Sequence, residues 1–270
     1  MLNFKKGSIF DRSAKAQEDF VDEPGNQILA VWGSPGSGKT TTAVKLAKYL
    51  ADHKKNVSLL LSDMTAPMLP CICSPGDLER ERSLGSILAA THVSDSLIRQ
   101  NCMTHKRMEH LVLLRLKKGE NEYTYPPYSA AQATELIECL RNITPYVIID
   151  CSSYITNDIL SAIALMESDS VLRLMNCDLK SISYLSSQLP LLKDHEWDAD
   201  KQYKVANNVK TYEASGYVEQ VLGNVAFQIP YSSEVEQQGL EGDLLKDLSL
   251  KESRKYRKEI EKIVEEVFGC

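Results

Sequence analysis

The sequence predicts an α/β protein with a doubly wound, mainly parallel sheet flanked by helices. Three observations lead to that expectation. The strand candidates are continuous apolar runs rather than alternating ones, as in Ile28–Trp32 (ILAVW) and Val57–Leu61 (VSLLL), which implies burial on both faces. Helical patterns separate those runs, giving the β-α-β alternation of a parallel sheet. A glycine-rich loop joins the first run to a helix, at the carboxyl edge where such sheets gather ligands.

Residues 1–27 are polar and mixed in charge, end near the turn signal Pro24-Gly25-Asn26, and are read as an N-terminal arm. The domain is expected over residues 28–270. ILAVW is its first strand, followed by the glycine loop and a helix to about Asp52. VSLLL is the second strand, Leu111–Leu116 the third, and Tyr146–Ile149 (YVII) the fourth, ending on Asp150. Val171–Met175, Tyr203–Ala206 and Val225–Ile229 complete the set, with helices over Ala131–Arg141 and Asn157–Met166. The last stretch, Lys251–Cys270, puts Tyr256, Ile260, Ile263, Val264, Val267 and Phe268 on one helical face. Its other face is acidic as well as basic, so a helix packed on the sheet is expected before one lying on a membrane.

A chain of 270 residues can bury a full core, and 43% hydrophobic with 25% charged residues is an ordinary globular balance. A net charge of −6 gives no overall signature of nucleic-acid binding. His105-Lys106-Arg107 and Lys117-Lys118 are local exceptions, read as a solvated face in preference to a DNA contact. Seven cysteines follow no disulfide framework, and the opening MLNFKKGSIFDRS lacks the apolar run of a signal peptide. No stretch approaches the ~20 apolar residues that span a bilayer. A reducing cytoplasm is the expected setting.

Gly33-Ser34-Pro35-Gly36-Ser37-Gly38-Lys39-Thr40 matches the P-loop pattern in full, with a strand before it and a helix from Thr41 onward. Gly36 and Gly38 allow backbone shapes that a side chain would block, so loop amides and the helix start can face phosphates. Lys39 supplies a point charge for the β- and γ-phosphates, and Thr40 a hydroxyl for Mg²⁺. Asp150 ends a buried strand, where a carboxylate is costly unless used. The use expected is Mg²⁺, held directly or through water; a helix-capping role is the alternative.

Together these residues resemble the ParA/MinD group of ATPases, with the P-loop NTPase fold, from about residue 28 to 268. VSLLLSDMTAP is similar to that group's first switch segment, which implies that Asp63 positions the attacking water. NITPYVIIDCSS is similar to its Walker B strand, although Cys151-Ser152-Ser153 replaces the usual Thr-Pro-Pro. YKVANNVK implies that Asn207, with Asn208 as the alternative, reads the adenine base, and VAFQIPYSSEVEQQGLEG that this segment, including Pro230 and Tyr231, closes over it. The resemblance implies ATP/ADP and Mg²⁺ as ligands and a homodimer that recruits a pilus or DNA-partition assembly, with a polar or complex-associated location. DNA is not favoured as a partner. Ser34 stands where the group carries a signature lysine that reaches a partner's phosphates, and Pro35 replaces a glycine. Its loss implies slow hydrolysis and resembles the TadZ/CpaE branch, which localises tight-adherence pilus machinery.

A non-hydrolysing nucleotide-binding scaffold is the first alternative. A P-loop kinase is the second, with Arg80, Arg82 and Arg99 as lid candidates. Cys71-Ile72-Cys73 is read as a loop pair without a second ligand pair, hence not a metal site. Tyr123-Thr124-Tyr125-Pro126-Pro127-Tyr128 is read as an exposed or partner-facing loop.

Overall fold

A computed structural model describes residues 26–65, 67–192, 199–210 and 223–270. Most of the expected arm, residues 1–25, lies outside the described residues. Strands β1 (Gln27–Gly33), β2 (Val57–Leu61), β3 (Met103–His105), β4 (Met108–Leu114), β5 (Tyr146–Asp150), β6 (Ser170–Asn176), β7 (Gln202–Val209) and β8 (Phe227–Pro230) form one sheet. Its order is β3-β4-β2-β5-β1-β6-β7-β8, and every neighbouring pair is parallel except β3–β4. The mainly parallel, doubly wound sheet expected from the apolar runs is therefore present.

The helices are α1 (Lys39–Asp52), α2 (Leu69–Ile72), α3 (Leu84–Leu88), α4 (Asp95–Asn101), α5 (Ala130–Ile143), α6 (Ile159–Glu167), α7 (Leu179–Gln188), α8 (Ser233–Glu241) and α9 (Arg254–Phe268). One face of the sheet buries Leu46 and Leu50 of α1 with Ile263, Val264 and Phe268 of α9. The terminal helix thus packs as its apolar stripe predicts. The other face buries Trp32 with Leu136 and Leu140 of α5 and Leu160 of α6. Starts are marked locally: Ser129 and Gln132 form a reciprocal capping box on α5. No described helix is long and apolar enough to cross a membrane.

Two expectations need correction. The third predicted strand runs over Met108–Leu114, not Leu111–Leu116, and an antiparallel partner, β3, precedes it. Of His105-Lys106-Arg107, read as a solvated basic face, His105 ends β3 and is buried, while Lys106-Arg107 is the exposed turn between the two strands. Lys106 Nζ donates to the Gly76 carbonyl at 2.5 Å and Arg107 Nη2 to Asp77 Oδ1 at 3.0 Å, so both cations hold the edge hairpin. Cys71-Ile72-Cys73 is no open loop either: Cys71 and Ile72 belong to α2, and Ile72 and Cys73 are buried in the core. Among the described residues no group of His, Cys, Asp and Glu could hold a metal ion as a cluster.

Register places the tips of three strands together. Asp150 is opposite Val31 of β1 on one side and Leu61 of β2 on the other. The carboxylate therefore emerges where β1 turns into the glycine loop.

Candidate nucleotide-binding site

The loop after β1 needs its glycines for different reasons. Gly33 lies beside β6, and a Cβ there would sit 2.0 Å from the Leu174 carbonyl oxygen. Gly36 and Gly38 have φ of 73° and 81°, the left-handed region that disfavours side chains. A Cβ on Gly38 would also meet Asn207 Nδ2 at 2.3 Å. Thus β7 closes on the loop, and Asn207 Nδ2 donates to the Ser37 carbonyl at 2.6 Å. Asn176 Nδ2 donates to the Gly36 carbonyl at 3.1 Å, and Asn208 Nδ2 donates to Asn176 Oδ1 at 3.1 Å.

At the start of α1, Thr40 Oγ1 donates to Asp150 Oδ2 at 2.6 Å. Asp150 is buried and its other oxygen, Oδ1, has no hydrogen-bond partner among the described residues. Burial pushes its carboxyl up to about 7, against the pull of the Thr40 hydroxyl and the Lys39 charge. Lys39 Nζ donates to Ser153 Oγ at 2.6 Å and to the Ser34 carbonyl at 3.4 Å. Burial lowers its pKa, while the charges of Asp150 and Asp63 raise it. Asp63 follows β2, half-buried, with Oδ1 accepting from the Thr65 amide at 3.0 Å.

Ser34 is buried, and its hydroxyl donates to Ser181 Oγ of α7 at 2.8 Å. The position that the resemblance assigns to a partner-reaching lysine therefore points into the molecule.

A cleft of about 440 Å³ opens beside the loop, with Gly36, Gly38, Thr40, Thr41, Asn207 and Tyr231 in its wall. The opposite wall comes from α8, through Val235, Glu236, Gly239 and Leu240. Tyr231 donates its hydroxyl to Glu236 Oε2 at 2.7 Å, and Lys210 Nζ lies 5.3 Å from its ring centre. Pro230 ends β8 opposite Val209 and is not part of this wall. Gly33, Ser34, Pro35, Ser37 and Lys39 build the loop itself. The structure thus brings together the P-loop, Asp150, Asp63, Asn207 and Tyr231. Arg80, Arg82 and Arg99, offered as lid candidates, do not line this cleft.

Several participants carry no sequence signal. Ser153, the partner of Lys39, lies 114 residues away in a segment noticed only for departing from Thr-Pro-Pro. Lys45 of α1 is buried and donates to Gln238 Oε1 at 2.5 Å, the Leu244 carbonyl at 2.6 Å and the Lys246 carbonyl at 3.2 Å. It ties the phosphate-loop helix to the α8 wall. Ser62 links the second strand to the site: its hydroxyl donates to the Asp150 carbonyl at 2.9 Å and shares a 2.8 Å bond with Ser161 Oγ.

A family model described as an AAA domain matches residues 27–204. No curated protein matches the chain. Among solved structures, the ParA family ATPase from Chlorobium tepidum superposes with a TM-score of 0.72 at 17% identity, over 87% of this chain and 97% of that one. The Pyrococcus horikoshii septum site-determining protein MinD, complexed with Mg-ADP, gives 0.69 at 18% identity, over 89% and 95%. A Cyanothece McdA variant in complex with ATP gives 0.64 at 18% identity, over 91% and 98%. At these identities the likeness is one of fold.

Proposed function

The chain belongs to the AAA domain family and has the ParA/MinD-like P-loop ATPase fold, and from that premise we propose that it is an ATP-dependent switch. It binds ATP, hydrolyses it slowly to ADP and phosphate, and uses the difference between nucleotide states to change its affinity for a partner.

One observation supports this most strongly: the Thr40 hydroxyl and the Asp150 carboxylate meet at 2.6 Å, with Asp150 Oδ1 buried and unpartnered. A buried lone pair of that kind fits a divalent cation, and an oxygen-only donor pair fits Mg²⁺. In this reading Thr40 and Asp150 hold the ion, the latter directly or through water. Mg²⁺ would supply neutralisation of phosphate charge. Lys39 exchanges its contacts with Ser153 and Ser34 for phosphate oxygens. Asp63 orients the attacking water, and Asn207 and Tyr231, with the α8 wall, serve the base side. The MinD and McdA structures named above hold Mg-ADP and ATP, which is consistent with the same ligands here.

The inward-facing Ser34 supports slow turnover, because no cation at that position can stabilise charge on a partner's phosphates. A homodimer, and recruitment of a pilus or DNA-partition assembly in the manner of the TadZ/CpaE branch, complete the proposal. The same Ser34–Ser181 bond favours a second reading, a scaffold that binds nucleotide without hydrolysing it.

Phosphate release separates the two. The switch requires slow ATP-dependent release that Asp63→Ala abolishes; no release from either protein leaves the scaffold. Light scattering with ATP, with ADP and without nucleotide then tests the dimer. A mass that stays monomeric in every state removes it.

A further inference from the structure

A second cleft, of about 600 Å³, is lined by residues that follow β2 and β5, among them Met64, Thr65, Ser152 and Tyr154. Its lining includes Tyr123, Tyr125, Tyr128 and Tyr154, with Glu122 and Asp158 as its ionisable carboxylates. No lysine, arginine or histidine lines it among the described residues. We propose that this cleft is a binding site for a small organic cation, an ammonium or guanidinium group carried on a short apolar stem. The assignment goes beyond the switch and does not depend on ATP hydrolysis.

Charge selects the ligand. Tyrosine faces are negative and attract cations within a few ångströms, more strongly where water is thinned. Asp158 adds a fixed carboxylate. Its Oδ2 accepts from Ser161 Oγ at 2.7 Å and its Oδ1 from the Ser161 amide at 3.2 Å, which pins it at the start of α6. Tyr128 donates to the same Oδ1 at 3.5 Å and accepts from the Leu160 amide at 3.2 Å, so its ring is held too. Burial, with the charge of Asp63 added, raises the Asp158 carboxyl above its ordinary range, and a bound cation would favour its ionised form. An anion placed here would meet two carboxylates and four tyrosines.

The walls are built before any ligand arrives. Glu120 accepts from Ser83 Oγ at 2.5 Å, from the Lys117 amide at 2.8 Å and from Tyr125 OH at 2.8 Å, folding residues 117–125 onto α3. The Tyr125 ring packs against Gly85, where a Cβ would come within 2.1 Å of it. Such preorganisation lowers the cost of binding. Leu88, Leu116 and Pro127 give the apolar surface for a stem, and the volume is that of small-molecule pockets.

Occupancy can reach the nucleotide site. Ser161 Oγ lies within hydrogen-bond distance of Asp158 Oδ2 and of Ser62 Oγ, and Ser62 Oγ of the Asp150 carbonyl, so the two serine protons are shared among three contacts and a change at Asp158 can redistribute them. Thr65 and Ser152, next to Asp63 and Ser153, line the cleft directly.

The test titrates the full chain with N-butylguanidinium, its neutral isostere N-butylurea, and a capped peptide bearing one arginine, read by NMR shifts of the tyrosine rings. The rim pair Glu122→Gln with Tyr123→Ala provides the variant. Tyr123 is 88% exposed, so folding is not at risk, and a melting curve verifies it. The proposal expects saturable binding of butylguanidinium, about tenfold tighter than butylurea and weakened by about tenfold in the variant. Equal binding of the urea, an unchanged affinity in the folded variant, or no binding of butylguanidinium overturns it. Binding of the peptide alone also overturns it, by making the cleft a protein-docking surface.

Discussion

Asn207 on β7 holds the phosphate loop: its amide nitrogen donates to the Ser37 carbonyl at 2.6 Å, under a glycine whose missing Cβ would clash with it at 2.3 Å. Loop and strand are therefore a fitted pair, and the residue expected to read a base also shapes the phosphate cradle. Asn207→Ala should cost about 1–3 kcal/mol of stability, because a buried carbonyl loses its donor. ATP and GTP affinity should fall together if the loss is to the cradle. Asn208→Ala, at an exposed position with a φ of 55°, should cost only the backbone strain of about 1 kcal/mol and leave both nucleotide affinities unchanged. Denaturant melts with both nucleotide titrations separate the two.

The three loop glycines should rank by what surrounds them. Gly33→Ala drives a methyl into the Leu174 backbone and should cost about 3 kcal/mol or more. Gly38→Ala combines a positive φ with the Asn207 contact and should cost about 2–3 kcal/mol. Gly36→Ala, with nothing within 4 Å, should cost only the backbone strain of about 1–2 kcal/mol. Chemical denaturation of the three proteins checks the order.

Lys45→Met should destabilise the chain by about 2–4 kcal/mol, since Gln238 and the Leu244 carbonyl would be left buried without a donor. Nucleotide affinity should fall as well, through loosening of the α8 wall. Lys48→Met is the contrast. Its partners Asp52 and Asp247 are 47% and 89% exposed, so the cost should be about 0–1 kcal/mol. A Lys48→Met loss as large as that of Lys45→Met would contradict the tether.

Asp150 makes the metal-free protein sensitive to pH. Its folded pKa of about 7 lies above the ordinary 3.8, so the native state binds a proton that the unfolded chain releases in that interval. Stability from this group is therefore greatest at acid pH and is lost as pH rises through 7, at up to about 1.4 kcal/mol per unit. Mg²⁺ should restore stability at pH 8 in the wild type. Asp150→Asn should flatten the pH profile and abolish the Mg²⁺ response, both read by thermal melts in chelated and Mg²⁺-containing buffer.

What the sequence made legible was contiguous. Strand, glycine loop and helix follow one another from Ile28 to Asp52, so one pattern contains both the local structure and its chemistry. Asp150 could be found because a carboxylate ending an apolar run is anomalous by itself. By contrast, β3 is three residues long with an irregular register, and it exists only because β4 lies beside it. Its hydrophobic signal is too short to distinguish from a loop. Ser153, Ser181 and Lys45 are common residues whose roles arise from contacts 114, 147 and 193 residues apart, which no local pattern encodes.

Calorimetric titration of the full chain with magnesium-ATP, beside Lys39→Met, goes most directly to whether the loop of glycine amides and its lysine grip a nucleotide. Saturable binding well below millimolar concentration in the wild type, lost in a Lys39→Met protein that melts as a folded chain, is the predicted result. No heat of binding from the wild type at millimolar magnesium-ATP, or equal binding by both proteins, would contradict it.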